Sequence, residues 1–138
     1  MPDLDRDGDV YLLDLGDTEN RFHPDWLVEV QAHLTTIEGA DGPRALVTTA
    51  RGKFFSNGLD LDWLSEHGDR FFDYVIDVHA LLARILAIPV PTVAAVQGHA
   101  FAGGGMLALA HDFRVMRADR GFFCLPEVNI NIPFSRGM

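Results

Sequence analysis

Three consecutive glycines, Gly103, Gly104 and Gly105, stand in the middle of residues 93–112, which read VAAVQGHAFAGGGMLALAHD. A β-branched and alanine run at 92–96 passes through Gly98 and meets the triplet, after which a short apolar helical pattern begins. A strand, a sharp turn and a helix N-terminus stripped of side chains satisfy that order. The first N–H groups of such a helix lack internal partners and lie at the positive end of its dipole, and glycines let an acceptor approach them. Two uses remain open for the triplet: contact with an anionic or carbonyl ligand, or close packing of the helix.

A second stretch has the same build. Residues 50–62, ARGKFFSNGLDLD, follow a strand-like run at 45–49 and hold a tight Ser56-Asn57-Gly58 turn that leads into a helix beginning at Leu59. Two such turns after two strands can supply one backbone N–H each. Net charge is −9, and the only lysine, Lys53, stands beside Arg51 inside this turn. A local positive pair in an acidic chain suits the phosphates of an anionic ligand, although two solvated loop cations would look the same.

That charge argues against duplex nucleic acid or an anionic membrane surface as partner, since both require a basic face. At 138 residues the chain is one domain by size, spanning 1–138, with enough length to bury a core. It has no apolar run of about eighteen residues and no basic segment followed by an apolar one, so it reads as soluble, unexported and cytoplasmic. The single cysteine, Cys124, sits among Phe122, Phe123 and Leu125 and reads as a small buried hydrophobe. Asp3, Asp5, Asp7, Asp9 and Asp14 imitate a calcium loop without its flanking helices, and read as a solvated acidic tail. Histidines are scattered without paired spacing or cysteine partners, which argues against zinc, and Ser56 stands in F-S-N-G rather than in a G-x-S-x-G elbow. No metal site is expected.

In order, the pattern predicts a strand at 10–15, a polar loop at 17–21, and a helix from Pro24 to about Glu38 with Trp26, Leu27, Val30, Leu34 and Ile37 inward. A break at 39–43 and a strand at 44–50 complete a right-handed β-α-β unit. A short helix at 59–64 and a longer one at 71–87 follow, the latter with Phe72, Val75, Ile76, Leu82 and Ile85 on its apolar side and Pro89 and Pro91 after it. Further strands are expected at 92–96, 113–116 and 122–125. Alternating strands and helices indicate an α/β fold, with no internal repeat visible.

The segments GKFFSNGLDL, GHAFAGGGMLALAHDFRV and FFCLPEVNI, spread over most of the chain and in this order, resemble the enoyl-CoA hydratase/isomerase (crotonase) family. The resemblance implies a ββα spiral whose C-terminal helical part is missing or truncated, because family members are nearly twice as long. It implies an acyl-CoA thioester substrate, no separate cofactor because coenzyme A is part of that substrate, and a homo-oligomer, a trimer or dimer of trimers. By position, the family's oxyanion donors fall on the backbone N–H groups of Leu59 and Gly103. Such donors stabilise a developing enolate by about 3 kcal/mol each. One family acid maps onto Glu127, with Phe122, Phe123, Leu125 and Val128 as apolar neighbours. The other position holds Met106, which carries no proton. A single acid suits movement of a double bond from the 3,4 to the 2,3 position, the reaction of Δ3,Δ2-enoyl-CoA isomerases. Enoyl-CoA hydration, or a non-catalytic role in binding CoA or in assembly, are the alternatives. Arg51, Lys53, Phe55, Asn57 and Gly58 are the expected CoA contacts, and Trp63, Phe72, Phe101 and Met106 the expected acyl pocket.

Overall fold

The structure is a computed structural model that describes residues 1–127. Strands β1 (Asp3–Asp7) and β2 (Val10–Asp14) form an antiparallel hairpin; helix α1 (Pro24–Glu38) follows, then β3 (Ala45–Thr49) and the short β4 (Phe54–Ser56). Next come α2 (Leu61–Glu66), a 3₁₀ turn (Gly68–Arg70) and α3 (Phe71–Ala87). The chain continues through β5 (Thr92–Val96), β6 (His99–Phe101), α4 (Gly103–Leu109), β7 (Phe113–Met116) and β8 (Phe123–Cys124). One sheet runs β1-β2-β3-β5-β7, parallel beyond the hairpin; the second runs β4-β6-β8, all parallel.

The chain therefore winds as a spiral. Each turn places a strand in the large sheet, bends, and places a short strand in the small sheet, as in β3–β4, β5–β6 and β7–β8. The bends stack closely: a Cβ on Gly98 would lie 2.2 Å from the Lys53 carbonyl oxygen, so only glycine fits there. This is the ββα spiral that the resemblance implies.

Helix α1 buries Trp26, Leu27, Val30, Leu34 and Ile37, the stripe its periodicity predicts. Pro24 enters at the first turn, where its missing N–H has no helical partner to lose. Four expectations change. The acidic N-terminus is not a loose tail but edge strand β1, turned at Gly8 (φ 59°). Its leucine, Leu4, packs on the core while its charges line the open edge, which discourages pairing with other chains. Strands β4 and β6 were not anticipated. In α3 the buried face is Tyr74, Val78, Leu81, Leu82 and Ile85, whereas Phe72 and Ile76 are 78% and 63% exposed. Cys124 is half-buried at the small sheet's edge rather than enclosed. Among the described residues no helix is long and apolar enough to cross a membrane.

His111, just past α4, locks that helix to the large sheet. Its Nδ1 lies 2.8 Å from the Leu107 carbonyl and its Nε2 2.8 Å from the Thr48 hydroxyl. A carbonyl only accepts, so Nδ1 carries the proton and Nε2 accepts from Thr48. Burial disfavours the imidazolium and holds the pKa down to about 4 from the ordinary 6.5. Between those values the unfolded chain binds a proton that the folded chain refuses, so stability is full above pH 6.5 and falls as pH drops towards 4, by about 3 kcal/mol. Urea midpoints from pH 7 to pH 4 should show this slope, and His111→Gln should flatten it. An unchanged slope in that variant would place the acid sensitivity elsewhere.

Candidate active site

The two glycine-bearing turns meet. A Cβ built on Gly58 would lie 2.6 Å from the Gly103 nitrogen, so the backbone after β4 abuts the first residue of α4. One on Gly104 would lie 2.2 Å from the Ser56 carbonyl oxygen. The packing use of the triplet is therefore realised at Gly104, while Gly103 adjoins the neighbouring turn.

The hydrogen bonds around the first turn single out one donor. Asn57 N–H donates to the Glu19 carbonyl at 2.9 Å, Gly58 N–H to the Ser56 hydroxyl at 3.1 Å, and Asp60 N–H to the Tyr74 phenol oxygen at 2.9 Å. Leu59 N–H, between them, has no acceptor among the described residues. Helix α2 begins at Leu61 rather than Leu59, with Asp60 capping it by accepting Trp63 N–H, so Leu59 stays outside the helix. The N–H of Gly103 likewise has no acceptor among the described residues.

Each donor's peptide is held from its opposite side. The Gly58 carbonyl accepts Phe22 N–H at 2.8 Å, which turns the trans-related Leu59 N–H the other way. The Ala102 carbonyl accepts Met106 N–H at 3.1 Å and directs Gly103 N–H out of the helix end. Ala102 adopts φ 49°, ψ −123°, glycine's territory at the first central position of a type II′ turn. Its N–H is tied to the Cys124 carbonyl at 2.9 Å, so neighbouring elements hold this strained residue in place.

Beneath the first turn lies a residue that sequence reading passed over. Asn20 is buried with φ 48°; its carbonyl accepts the Ser56 hydroxyl at 2.8 Å and its amide reaches the Phe54 and Phe55 carbonyls. Asparagine tolerates the left-handed region, a signal present in the polar loop but not specific to a support role.

Glu127 follows β8 and Pro126. It is 7% exposed, and its Oε2 is buried with no hydrogen-bond partner among the described residues. The segment leading to it packs on the first turn of α4, where a Cβ on Gly105 would lie 3.0 Å from a Leu125 methyl and 3.4 Å from the Phe123 ring. A buried acid without a partner is costly and is retained chiefly where chemistry requires it. Phe122, Phe123 and Leu125 are exposed along the small sheet's edge instead of enclosing Glu127, and Val128 lies outside the described residues.

Other expected contacts divide. Met106 is buried in the first turns of α4, where no second carboxyl stands. Asp112 caps the sheet by accepting Thr92 N–H at 2.8 Å, at the far end of α4. Trp63 is half-buried, stacked on His67 at 4.4 Å and beside Tyr74 at 5.4 Å. Phe101 instead shares its face of β6 with His99, and the ring of Phe54 from the neighbouring β4 lies beside both. Phe72 points away from the fold, with its ring edge-on to that of Phe71. Phe55 is wholly enclosed in the core, so its side chain cannot touch CoA. Asn57 is half-buried in the turn. Arg51 is bound to Asp14 at 2.6 Å, which halves the expected positive pair. Lys53, its ammonium 5.2 Å from the centre of the Phe54 ring, has no carboxylate partner among the described residues. These residues show no cluster suited to a metal.

The sequence profile of the family described as "Enoyl-CoA hydratase/isomerase" matches residues 8–134. The chain is 43% identical over 143 residues to "Enoyl-CoA delta isomerase 3" of Arabidopsis thaliana, covering 96% of this chain and 58% of that protein. "Enoyl-CoA delta isomerase 2, peroxisomal" of the same plant is 42% identical with the same coverage. Among solved structures, an enoyl-CoA hydratase from Thermoplasma volcanium superposes with a TM-score of 0.84 at 26% identity, over 95% of this chain and 53% of that one. One from Shewanella pealeana gives 0.81 at 26% identity, over 95% and 51%. The chain thus spans about 58% of the length of the curated relatives it matches.

Proposed function

The chain belongs to the enoyl-CoA hydratase/isomerase family, and we propose that it supplies the proton-transfer site of an enzyme converting 3-enoyl-CoA to 2-enoyl-CoA. The thioester oxygen sits between the N–H groups of Leu59 and Gly103. Glu127 takes a proton from C2, the carbon next to the thioester carbonyl, and the electron pair left behind spreads onto the oxygen as an enolate. Two donors already aimed at that oxygen need no reorganisation as charge develops. Glu127 then returns the proton to C4, the double bond forms between C2 and C3, and no atom is gained or lost. Lys53 meets the CoA phosphates.

The observation that carries this reading is Glu127, a buried carboxyl whose Oε2 has no partner among the described residues. Its approach segment packs against the turn that bears Gly103, whose N–H has no acceptor among the described residues. Hydration is the less suited reaction, because it uses a second acid to hold and activate water. Met106 occupies that acid's position and Asp112 is committed to Thr92.

Incubating the naturally expressed protein with a 3-enoyl-CoA in heavy water, followed by mass-resolved product analysis, tests the proposal. An isobaric 2-enoyl product, after allowing for exchanged deuterium, is expected. A product heavier by one water would make hydration the reaction. Unchanged thioester, with binding still detectable, would overturn the isomerase reading for this substrate in favour of a CoA-binding role.

A further inference from the structure

We infer that Tyr74 is a positioning residue for this reaction, holding the Leu59 N–H on the thioester oxygen through the peptide that follows Leu59. The inference rests on the proton-transfer reading above. Tyr74 lies in the middle of α3, 2% exposed, with its ring against Trp63 at 5.4 Å and its phenol oxygen accepting Asp60 N–H at 2.9 Å.

The need for such an anchor follows from the residue before the donor. Gly58, at φ 77°, has no Cβ, so sterics restrain the rotation of the 58–59 peptide only weakly. That peptide has one hydrogen bond of its own, from Phe22 N–H to the Gly58 carbonyl. Its N–H side must stay open for the substrate, so no protein acceptor can steady it there. The remaining means of preventing a crankshaft rotation is to fix the next peptide, and Asp60 N–H bound to Tyr74 does so. Helix α3 is a firm base for this bond: Val78, Leu81 and Ile85 are buried beside Tyr74, and Arg84 ties the helix to Glu38 of α1 at 2.8 Å.

Tyr74→Phe keeps the ring and its packing and removes only the acceptor. Turnover and the carbonyl stretch of a bound 2-enoyl-CoA, read by infrared difference spectroscopy, would be compared in the unaltered protein, Tyr74→Phe and Val78→Ala. Val78→Ala loosens the same helix without touching the turn. For Tyr74→Phe we expect kcat to fall about tenfold with KM within about twofold, as for an interaction made in the transition state. Its bound carbonyl stretch should return towards the frequency in water, while Val78→Ala keeps both values.

Retention of kcat and of the shifted carbonyl in Tyr74→Phe would overturn the inference. Equal losses in Val78→Ala would overturn it too, because general loosening of α3 would then suffice. No carbonyl shift on binding to the unaltered protein would instead remove the parent reading of Leu59 and Gly103 as donors, whatever Tyr74→Phe does.

Discussion

Glu127→Gln should lose turnover of 3-enoyl-CoA by about 10²–10⁴-fold while binding is kept, the range over which a positioned acid–base group contributes. The amide is nearly isosteric and cannot take the C2 proton. Because the Oε2 of Glu127 is buried without a partner among the described residues, replacing the carboxyl by a neutral amide should not destabilise the fold and can raise its stability. Single-turnover kinetics, a binding titration with 2-enoyl-CoA and a thermal melt together separate these effects. Turnover within about threefold of the unaltered protein would rule Glu127 out as the proton carrier, since even the weakest such contribution is larger.

Gly58→Ala should be the second most damaging change, and for a different reason. The new Cβ would lie 2.6 Å from the Gly103 nitrogen, on one proposed donor, and would push on the peptide that carries the other. Loss of one oxyanion donor lowers kcat by about 10²–10³-fold, and displacement of both turns should reach at least that. Alanine at φ 77° also destabilises the chain by about 1–2 kcal/mol. Gly42→Ala provides the control: Gly42 has φ 82°, and its Cβ would meet nothing within 4 Å. It should show only the loss that comes from the backbone conformation, with kcat unchanged. Equal kcat in the two variants would mean that the Gly58–Gly103 contact plays no part in the reaction.

Much of the architecture was legible along the chain. Helix α1 was readable in extent and inward face because its apolar positions fall on one stripe with charged positions opposite, and Pro24 marks its start. Strands β5 and β7, bounded by proline, glycine or a helix end, were equally plain. Helix α3 was legible in length but not in orientation. It has apolar residues on both sides, so periodicity cannot tell whether Phe72 and Ile76 or Tyr74 and Val78 face the core; packing against α1 and α4 chose the second set. Strands of three residues, such as β4 and β6, are too short to leave any alternation, and they exist because successive turns of the spiral stack their bends.

The residue types of the candidate site were also determined by the sequence: glycines where backbones must meet, one acid at Glu127, and a methionine where a second acid would stand. Propensity, capping and periodicity act over a few residues, and that suffices for turns, helices and strands. The tertiary structure alone decided which N–H groups are left without an acceptor. Glu19, Ser56 and Tyr74 satisfy the neighbours of Leu59 and leave its N–H without an acceptor among the described residues, and Gly58 reaches Gly103 across 45 positions of sequence. Whether a polar group has a partner depends on every acceptor that surrounds it in space, and no local pattern contains that information.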